Sequence, residues 1–152
     1  MNTSENKGIA LITGASSGIG ALYADRLARR GYDLILVARN RERLDQLATR
    51  ITAETKRSVE TIVADLGNAM DLSRVEDRLR ADTGIVMLVN NAGVGATSPL
   101  LDSDADSMDR MIALNVNALM RLTYAAAPGF VAQKRRRSRY LAAARAWHGR
   151  CC

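Results

Sequence analysis

A glycine-rich turn between an apolar run and an amphipathic segment places the strongest constraint on the fold. Residues 8–13 are mostly apolar, the turn Gly14-Ala15-Ser16-Ser17-Gly18-Ile19-Gly20 follows, and apolar residues at positions 19, 22, 23 and 27 then recur at helical spacing. In a strand–turn–helix unit, Gly14 allows the chain to turn tightly as it leaves the strand. Gly18 allows the backbone to approach a ligand closely, and Gly20 allows the helix to pack closely on the sheet. The turn predicts a pyrophosphate site at a helix N-terminus, with a merely structural turn as the alternative.

The alternation of strand and helix continues to residue 89. Apolar runs at 34–38, 59–66 and 85–89 predict three more strands, and amphipathic segments between them predict two more helices, the second of which Asn68 can cap. Uninterrupted apolar runs are typical of parallel strands covered on both faces. The fold class predicted is therefore α/β, a doubly wound parallel sheet of about four strands with flanking helices.

Charge divides the chain at residue 134. The net charge of +6 comes from 22 Lys and Arg against 16 Asp and Glu, and residues 134–152, the basic tail, hold seven of those cations and no acid. The preceding residues are thus nearly neutral, so the basicity does not make them a nucleic-acid-binding domain. The tail is expected to be disordered and to bind polyanions only nonspecifically, because no base-reading scaffold accompanies it.

Cysteine content and the N-terminus bear on the compartment. Cys151 and Cys152 are adjacent and terminal, which excludes a disulfide framework, and His148 has only these thiols near it, which argues against a metal site. Residues 1–7 lack a basic stretch followed by an apolar one, and the later apolar runs are too short to span a membrane. We expect a cytoplasmic protein without a membrane segment.

The end of the second predicted strand bears on the kind of dinucleotide. Proteins that bind NAD commonly place a carboxylate there for the ribose 2′-OH, whereas this chain has Ala38 followed by Arg39, which suits a 2′-phosphate. NADP is therefore favoured over NAD. Since Arg41 and Arg43 follow closely, the alternative is that Arg39 is one exposed loop cation among several.

Three motifs in order resemble the short-chain dehydrogenase/reductase family: residues 13–20, Asp65-Leu66 after the third strand, and Asn90-Asn91-Ala92-Gly93 after the fourth. The resemblance covers roughly residues 7–133, and it implies a partial Rossmann NAD(P)-binding domain at 1–133, hydride transfer between carbonyl and alcohol, a small-molecule substrate and a homo-oligomer. In the family the glycine turn lines the phosphates, the Asp meets the adenine, and the last motif lies beside the ribose and nicotinamide. The cofactor-binding candidates are Gly14, Ser16, Ser17, Gly18, Ile19, Gly20, Arg39, Asp65, Leu66, Asn91, Ala92 and Gly93.

The resemblance has one departure that concerns the cofactor. Members that prefer NADP often carry a second basic residue at the position where this chain has Ser17. The preference for a 2′-phosphate therefore depends on Arg39.

A predicted helix after Asp106 holds the one catalytic candidate. Its apolar stripe at helical spacing includes residues 108, 111, 112, 119 and 122, and Asn115 falls on this stripe, where a buried amide must find hydrogen-bond partners. The family places there an Asn that holds a water in a proton relay. Asn115 is accordingly the catalytic candidate, Asn117 its more exposed neighbour, and a structural Asn the alternative.

The family's remaining catalytic residues do not follow in the expected pattern. Members continue into a fifth strand with a Ser and then a Tyr-x-x-x-Lys, but here Ser138 and Tyr140 are two apart and Ala144 stands where the Lys would be. Tyr140 is therefore rejected as catalytic. We expect that the frame of the gene has shifted near residue 133, so that another frame encodes the Ser, Tyr and Lys.

Three hypotheses stay open for the chain. It is an enzyme that obtains these groups elsewhere, a dinucleotide-binding module, or a fragment without function. No strand pattern follows Val131, so residues 85–89 are expected to form an uncovered sheet edge that, with the apolar helix stripe, promotes aggregation.

Overall fold

The computed structural model describes residues 6–95, 99–134 and 142–143. Its helices and strands are β1 (Ile9–Thr13), α1 (Gly18–Arg29), β2 (Asp33–Ala38), α2 (Arg41–Thr55), β3 (Val59–Val63), α3 (Ala69–Ala81), β4 (Ile85–Asn90), α4 (Ala105–Ile112), α5 (Leu119–Lys134) and β5 (Ala142–Ala143). A short 3-10 turn, Leu100–Asp102, precedes α4, and a π-helical segment, Ala113–Ala118, joins α4 to α5.

The sheet is parallel and confirms the α/β fold class. Its strand order is β3-β2-β1-β4-β5, so β1 lies between β2 and β4, and Ile12 is in register with Leu36 on one side and Val89 on the other. The chain proceeds outward from β1 in one direction and then in the other. In such a sheet a crevice opens beyond the carboxyl ends of the strands at the point of reversal, which places the ends of β1, β2 and β4 around a ligand site.

Two apolar clusters cover the two faces of the sheet. Successive side chains of a strand point to opposite faces, so Leu34 and Leu36 pack with α1 and α2 whereas Ile35 and Val37 pack with α3 and α5. All residues from 34 to 38 are buried, as the uninterrupted apolar run predicts. Full burial of each large aliphatic side chain contributes about 1.5–3 kcal/mol, which makes β2 one of the most strongly held strands.

Asparagines begin two of the helices. The Asn68 side chain accepts hydrogen bonds from the N–H groups of Met70 and Asp71 at 2.9 and 3.2 Å, which confirms the predicted cap of α3. The Asn40 side chain accepts from the Arg43 N–H at 2.9 Å and caps α2 in the same way. The second cap fixes the chain directly after β2, where the strand leaves the sheet.

The far edge of β4 differs from the expectation. Ala142–Ala143 pair in parallel with Val89 and Asn90, so the prediction that no strand follows Val131 is wrong for these two residues. Among the described residues, Ile85 to Leu88 have no strand partner on that side. The end of α5 lies there instead, where the Gln133 amide donates to the carbonyl oxygens of Thr83 and Ile85 at 2.9 and 3.3 Å. The expected aggregation stays a prediction.

The apolar stripe of the long helix also differs from the expectation. The residues of this helix that are buried are Ala118, Leu122, Ala125 and Ala126, whereas Ile112 is 47% exposed. The predicted stripe assumes 3.6 residues per turn throughout the helix. The π-helical segment Ala113–Ala118 has more residues per turn, so residues before and after it do not lie on one face. A second stripe, made of Ile112, Val116, Met120, Tyr124 and Val131, is exposed on the described chain.

A buried carboxylate joins α3 to α5. The side chain of Glu76 is only 3% exposed and forms ion pairs with Arg121 of α5 and with Arg80 one turn further along α3. The hydrogen bond from Arg121 lowers the pKa of Glu76 below its ordinary value, against the opposing effect of burial, and Arg80 adds to the lowering. Glu76 is therefore held in its charged form.

No helix among the described residues has the length and apolar character needed to cross a membrane.

Candidate functional site

A cavity of about 800 Å³ lies at the carboxyl ends of β1, β2 and β4, where the topology predicts a ligand site. The expected cofactor-binding residues that line it are Gly14, Ser16, Ser17, Gly18, Ile19, Arg39, Asp65, Leu66, Asn91, Ala92 and Gly93. Gly20 does not line the cavity. The three motifs, which are far apart in the sequence, are thus brought to one place.

The glycine turn brings β1, α1 and the loop after β4 into close contact. Gly14 has a φ of +65°, and a Cβ there would lie 2.8 Å from the Cα of Ala92. A Cβ at Gly20 would overlap the carbonyl oxygen of Gly14, so the first turn of α1 can approach the strand end only because Gly20 lacks a side chain. The predicted packing role of Gly20 is confirmed.

The N-terminus of α1 offers donors to an anion. Its N-cap, Ser17, has an extended backbone and makes no capping side-chain hydrogen bond, and the first turn contains no acidic residue. Apart from its chain neighbours and the adjoining helix backbone, no described atom lies within 4 Å of the position of a Cβ on Gly18. The first N–H groups of a helix lack partners within it and carry a partial positive charge, so this open helix end fits the pyrophosphate of a dinucleotide.

Thr13 and Asn91 tie the loop after β4 to the glycine turn. The Thr13 hydroxyl accepts from the N–H groups of Asn91 and Ala92, each at 3.0 Å, and the Asn91 side chain donates to the carbonyl oxygens of Thr13 and Gly14, each at 3.1 Å. Thr13 and Asn91 are both buried. These bonds fix the cavity wall before any ligand binds. Thr13 was not among the predicted site residues, and its place as the last residue of β1 was the available signal.

Asn115 holds the loop after β4 and does not line the cavity. Its Oδ1 accepts from the N–H of Val94 at 2.9 Å and its Nδ2 donates to the carbonyl oxygen of Val94 at 2.7 Å. A Cβ on Gly93 would lie 3.0 Å from the Asn115 Oδ1. Both polar atoms of the half-buried Asn115 side chain thus bind the loop, and the catalytic role expected of Asn115 stays a prediction. Asn117 is exposed, as expected.

The residues after β2 and β3 form the opposite part of the lining. Arg39, Asn40 and Arg43 line the cavity there, and so does Asp65, whose carboxylate accepts from the Gly67 N–H at 2.9 Å. Asn40 and Arg43 were not among the predicted site residues. Their closeness to Arg39 in the sequence was the available signal, because Asn40 directly follows Arg39 and Arg43 lies in the first turn of α2.

Among residues 6–95 and 99–134, no group of His, Cys, Asp and Glu side chains could hold a metal ion. Ser138, Tyr140, His148, Cys151 and Cys152 lie outside the described residues.

Comparison with known proteins identifies the family. The family model for short chain dehydrogenases matches residues 8–138. A bulky-bulky ketone specific alcohol dehydrogenase from Comamonas testosteroni is 50% identical with a TM-score of 0.83, and the match covers 85% of this chain and 52% of that chain. A short-chain dehydrogenase from Sphingobium yanoikuyae in complex with NADPH is 51% identical with a TM-score of 0.81, over 83% of this chain and 50% of that chain.

A curated relative of lower identity is named as a reductase. The very-long-chain 3-oxoacyl-CoA reductase of Anas platyrhynchos is 36% identical over 129 residues, which are 80% of this chain and 40% of that protein. The chain thus spans about half the length of the solved relatives and less of this reductase. The family match includes the glycine turn and the loop after β4, which the fold brings to one cavity, and the chain belongs to the short chain dehydrogenase family.

Proposed function

We propose that the chain binds NADP(H) in the cavity at the ends of β1, β2 and β4, as the cofactor-binding part of an oxidoreductase that transfers hydride between a carbonyl and an alcohol. The single observation that carries this proposal is that an uncapped helix N-terminus and Arg39 line the same cavity. The two features meet two separate demands of this cofactor, because the helix end suits a pyrophosphate and a guanidinium suits a 2′-phosphate.

The remaining candidates have roles that follow from their places. Ser16, Ser17 and Ile19 lie at the open end of α1 and would contact the phosphates, and Asp65 lies after β3 and would meet the adenine. Asn91, Ala92 and Gly93 would lie beside the ribose and nicotinamide. Because this last loop is held by Thr13 and Asn115, the wall is preorganised and little ordering accompanies binding.

The relatives support the reaction class. One is described as ketone-specific, one was solved with NADPH, and one is a 3-oxoacyl-CoA reductase, so each name fits the reduction of a carbonyl group. When bound, the reduced cofactor supplies a hydride to a carbonyl carbon. Small-molecule carbonyl or alcohol substrates, homo-oligomeric assembly and a cytoplasmic location are part of the proposal.

A dinucleotide-binding module without turnover is the second candidate function. Reduction of a carbonyl also needs a proton donor, and within the described residues the cavity is lined by no Tyr, Lys, His or Cys. Asn115, the one catalytic candidate, has both polar side-chain atoms bound to Val94. We therefore expect cofactor binding with very slow turnover.

Titration of NADPH and NADH fluorescence with the full chain tests the proposal. We expect NADPH to bind more tightly than NADH, and Arg39→Ala to remove most of that difference. Arg41→Ala is the matched control, because Arg41 is an exposed cation of the same turn that does not line the cavity. Equal affinities for the two cofactors in the wild-type chain would contradict the proposed preference, and rapid reduction of ketones or aldehydes would contradict the second candidate.

A further inference from the structure

Three hydrogen bonds hold Asp65, the cavity residue that follows β3. The Asp65 N–H donates to Oδ2 of Asp71 in α3 at 2.8 Å. The Asp65 carbonyl oxygen accepts from the Asn68 N–H at 2.9 Å, and its carboxylate Oδ1 accepts from the Gly67 N–H at 2.9 Å. Within residues 6–95 and 99–134, the other carboxylate oxygen of Asp65 accepts no hydrogen bond. Asp65 is thus fixed by its backbone and one oxygen, and the second oxygen is left for a ligand in the cavity.

The sheet itself supplies no partner for the Asp65 N–H. β3 is the edge strand beside β2, and the Ala64 N–H donates to the Ala38 carbonyl oxygen of β2 at 3.0 Å. Successive N–H groups of an extended chain point in opposite directions, so the Asp65 N–H points away from the sheet. The Asp71 carboxylate meets it on that open side. The contact therefore links the end of an edge strand to the first turn of α3.

Asp71 makes a contact that differs from the usual one for its position in a helix. It is the third residue of α3 after the Asn68 cap, and a carboxylate there commonly reaches back to the N–H of the cap. The Asn68 N–H is already bound to the Asp65 carbonyl oxygen, so the Asp71 carboxylate reaches past the cap to the Asp65 N–H. Arg74, one turn along α3, lies 3.6 Å from the other Asp71 oxygen and donates to the Val63 carbonyl oxygen at 2.8 Å. Two side chains of α3 thus hold the end of β3.

We propose that Asp71 is a positioning residue for base recognition, which holds Asp65 so that its unpartnered carboxylate oxygen accepts a hydrogen bond from the amino group of adenine. This inference rests on the proposed function, in which Asp65 meets the adenine. A carboxylate only accepts hydrogen bonds, and the exocyclic amino group is the donor that the adenine base presents. Hypoxanthine carries an oxygen in its place, so the Asp65 carboxylate would face a second acceptor. The pair of carboxylates therefore selects adenine against hypoxanthine.

The contact can be removed without disturbing the cap of α3. In Asp71→Ala the Asn68 side chain still binds backbone N–H groups. Wild type should bind NADPH about tenfold more tightly than the analogue in which hypoxanthine replaces adenine, the effect of one hydrogen bond to a charged group at the lower end of its range. In Asp71→Ala this ratio should fall to about threefold or less, because Asp65 can turn away from the base. Asp71→Asn should keep most of the ratio, since its amide oxygen can accept from the Asp65 N–H.

The experiment titrates the wild-type full chain, the two Asp71 variants and a control with NADPH and its hypoxanthine analogue, and measures hydrogen exchange of the Asp65 amide by NMR. The control is Asp77→Ala, which removes an exposed carboxylate of α3 that pairs with Arg80. Support consists of a lower ratio and faster Asp65 exchange in Asp71→Ala, with both restored in Asp71→Asn and unchanged in Asp77→Ala. If Asp71→Ala does not fold, Asp71→Ser replaces it, because its shorter side chain also ends before the Asp65 N–H.

The two proposals fail in different ways. If the wild-type chain binds neither NADPH nor NADH, the proposed function is wrong, and the role of Asp71 is wrong with it. If the wild-type chain binds NADPH but Asp71→Ala keeps the wild-type ratio, or weakens both cofactors equally, only the role of Asp71 is wrong. A wild-type chain that binds NADPH and its hypoxanthine analogue equally, or whose Asp65 amide exchanges without protection, overturns the inference in the same way. Unchanged circular dichroism and thermal unfolding of each variant show that the comparison concerns folded protein.

Discussion

The residues around the glycine turn and the long helix from 105 to 134 differ in how completely they find partners within the described chain. Around the turn, strands are covered on both faces, the β4 loop is hydrogen-bonded to Thr13, and α1 and α2 are linked by ion pairs of Arg29 and Arg50. The long helix buries one face, which includes Leu122, and leaves Met120 and its apolar neighbours exposed.

This difference shows which part of the molecule is determined locally. The cavity wall forms mainly from short motifs whose residues bind each other, and Asn115 adds a contact to the loop after β4 from the segment before α5. The long helix depends on distant contacts, chiefly the packing of its inner face and the ion pair between Glu76 and Arg121. We therefore expect substitutions on its two faces to have very different effects.

The largest effect should come from the buried face of the long helix. Leu122 is 1% exposed and packs in the cluster with α3 and the sheet, whereas Met120 of the same helix is 47% exposed. Leu122→Ala should lower the free energy of unfolding by about 2–5 kcal/mol, because it removes buried apolar atoms and leaves a cavity. Met120→Ala, the matched control, should change it by less than about 0.5 kcal/mol. Urea denaturation of both variants gives the comparison, and equal losses would show that Met120 is covered in solution.

A smaller effect should come from the ion pair that joins α3 to the long helix. Glu76→Gln removes the buried charge that accepts hydrogen bonds from Arg121 and Arg80, and should cost about 1–3 kcal/mol. The half-exposed arginines can regain water, which keeps the loss below that of a fully buried pair. Arg80→Gln and Arg121→Gln, measured alone and with Glu76→Gln, divide the loss between the two partners.

The loss at Glu76 should depend on pH in a defined direction. Arg121 holds the pKa of Glu76 below its ordinary value in the folded chain, so the stabilisation is present above the unfolded-state pKa and is lost as pH falls through the folded-state pKa. Denaturation of wild type and Glu76→Gln near neutral pH and at about pH 3 should show the difference shrinking in acid. A difference that is the same at both values would mean that the charge of Glu76 contributes nothing.

The smallest effect should come from the contact between Asn115 and Val94. Asn115→Ala removes two hydrogen bonds to the loop and should lower the free energy of unfolding by about 1 kcal/mol, while Asn117→Ala, at an exposed position, should have almost no effect. Because the loop lines the cavity, Asn115→Ala should also weaken NADPH binding. If Asn115→Ala leaves binding and stability unchanged, the bonds of Thr13 and Asn91 are sufficient to hold the loop.

The predictions from sequence succeeded where a local pattern decides the structure. The glycine turn, the alternating strands, the Asn68 cap and the parallel order follow from residue type and spacing within short windows. Contacts set by distant packing were missed: the hydrogen bonds of the Asn115 amide with Val94 were not predicted, and Arg43 was not assigned to the site. The catalytic role expected of Asn115 stays a prediction. The stripe on the long helix was misplaced because no residue type marks a π-helical segment.

Hydrogen exchange of the full chain, measured free and with saturating NADPH or NADH, tests the central claim that the motif-built cavity binds the cofactor. With either cofactor we expect added protection in residues 14–20 and 91–95, which form the cavity wall, and with NADPH alone added protection in residues 39–43. Residues 120–131 should exchange equally in all three states, because the exposed helix face lies outside the site. Protection confined to residues 120–131, or no change anywhere at saturation, would contradict the account.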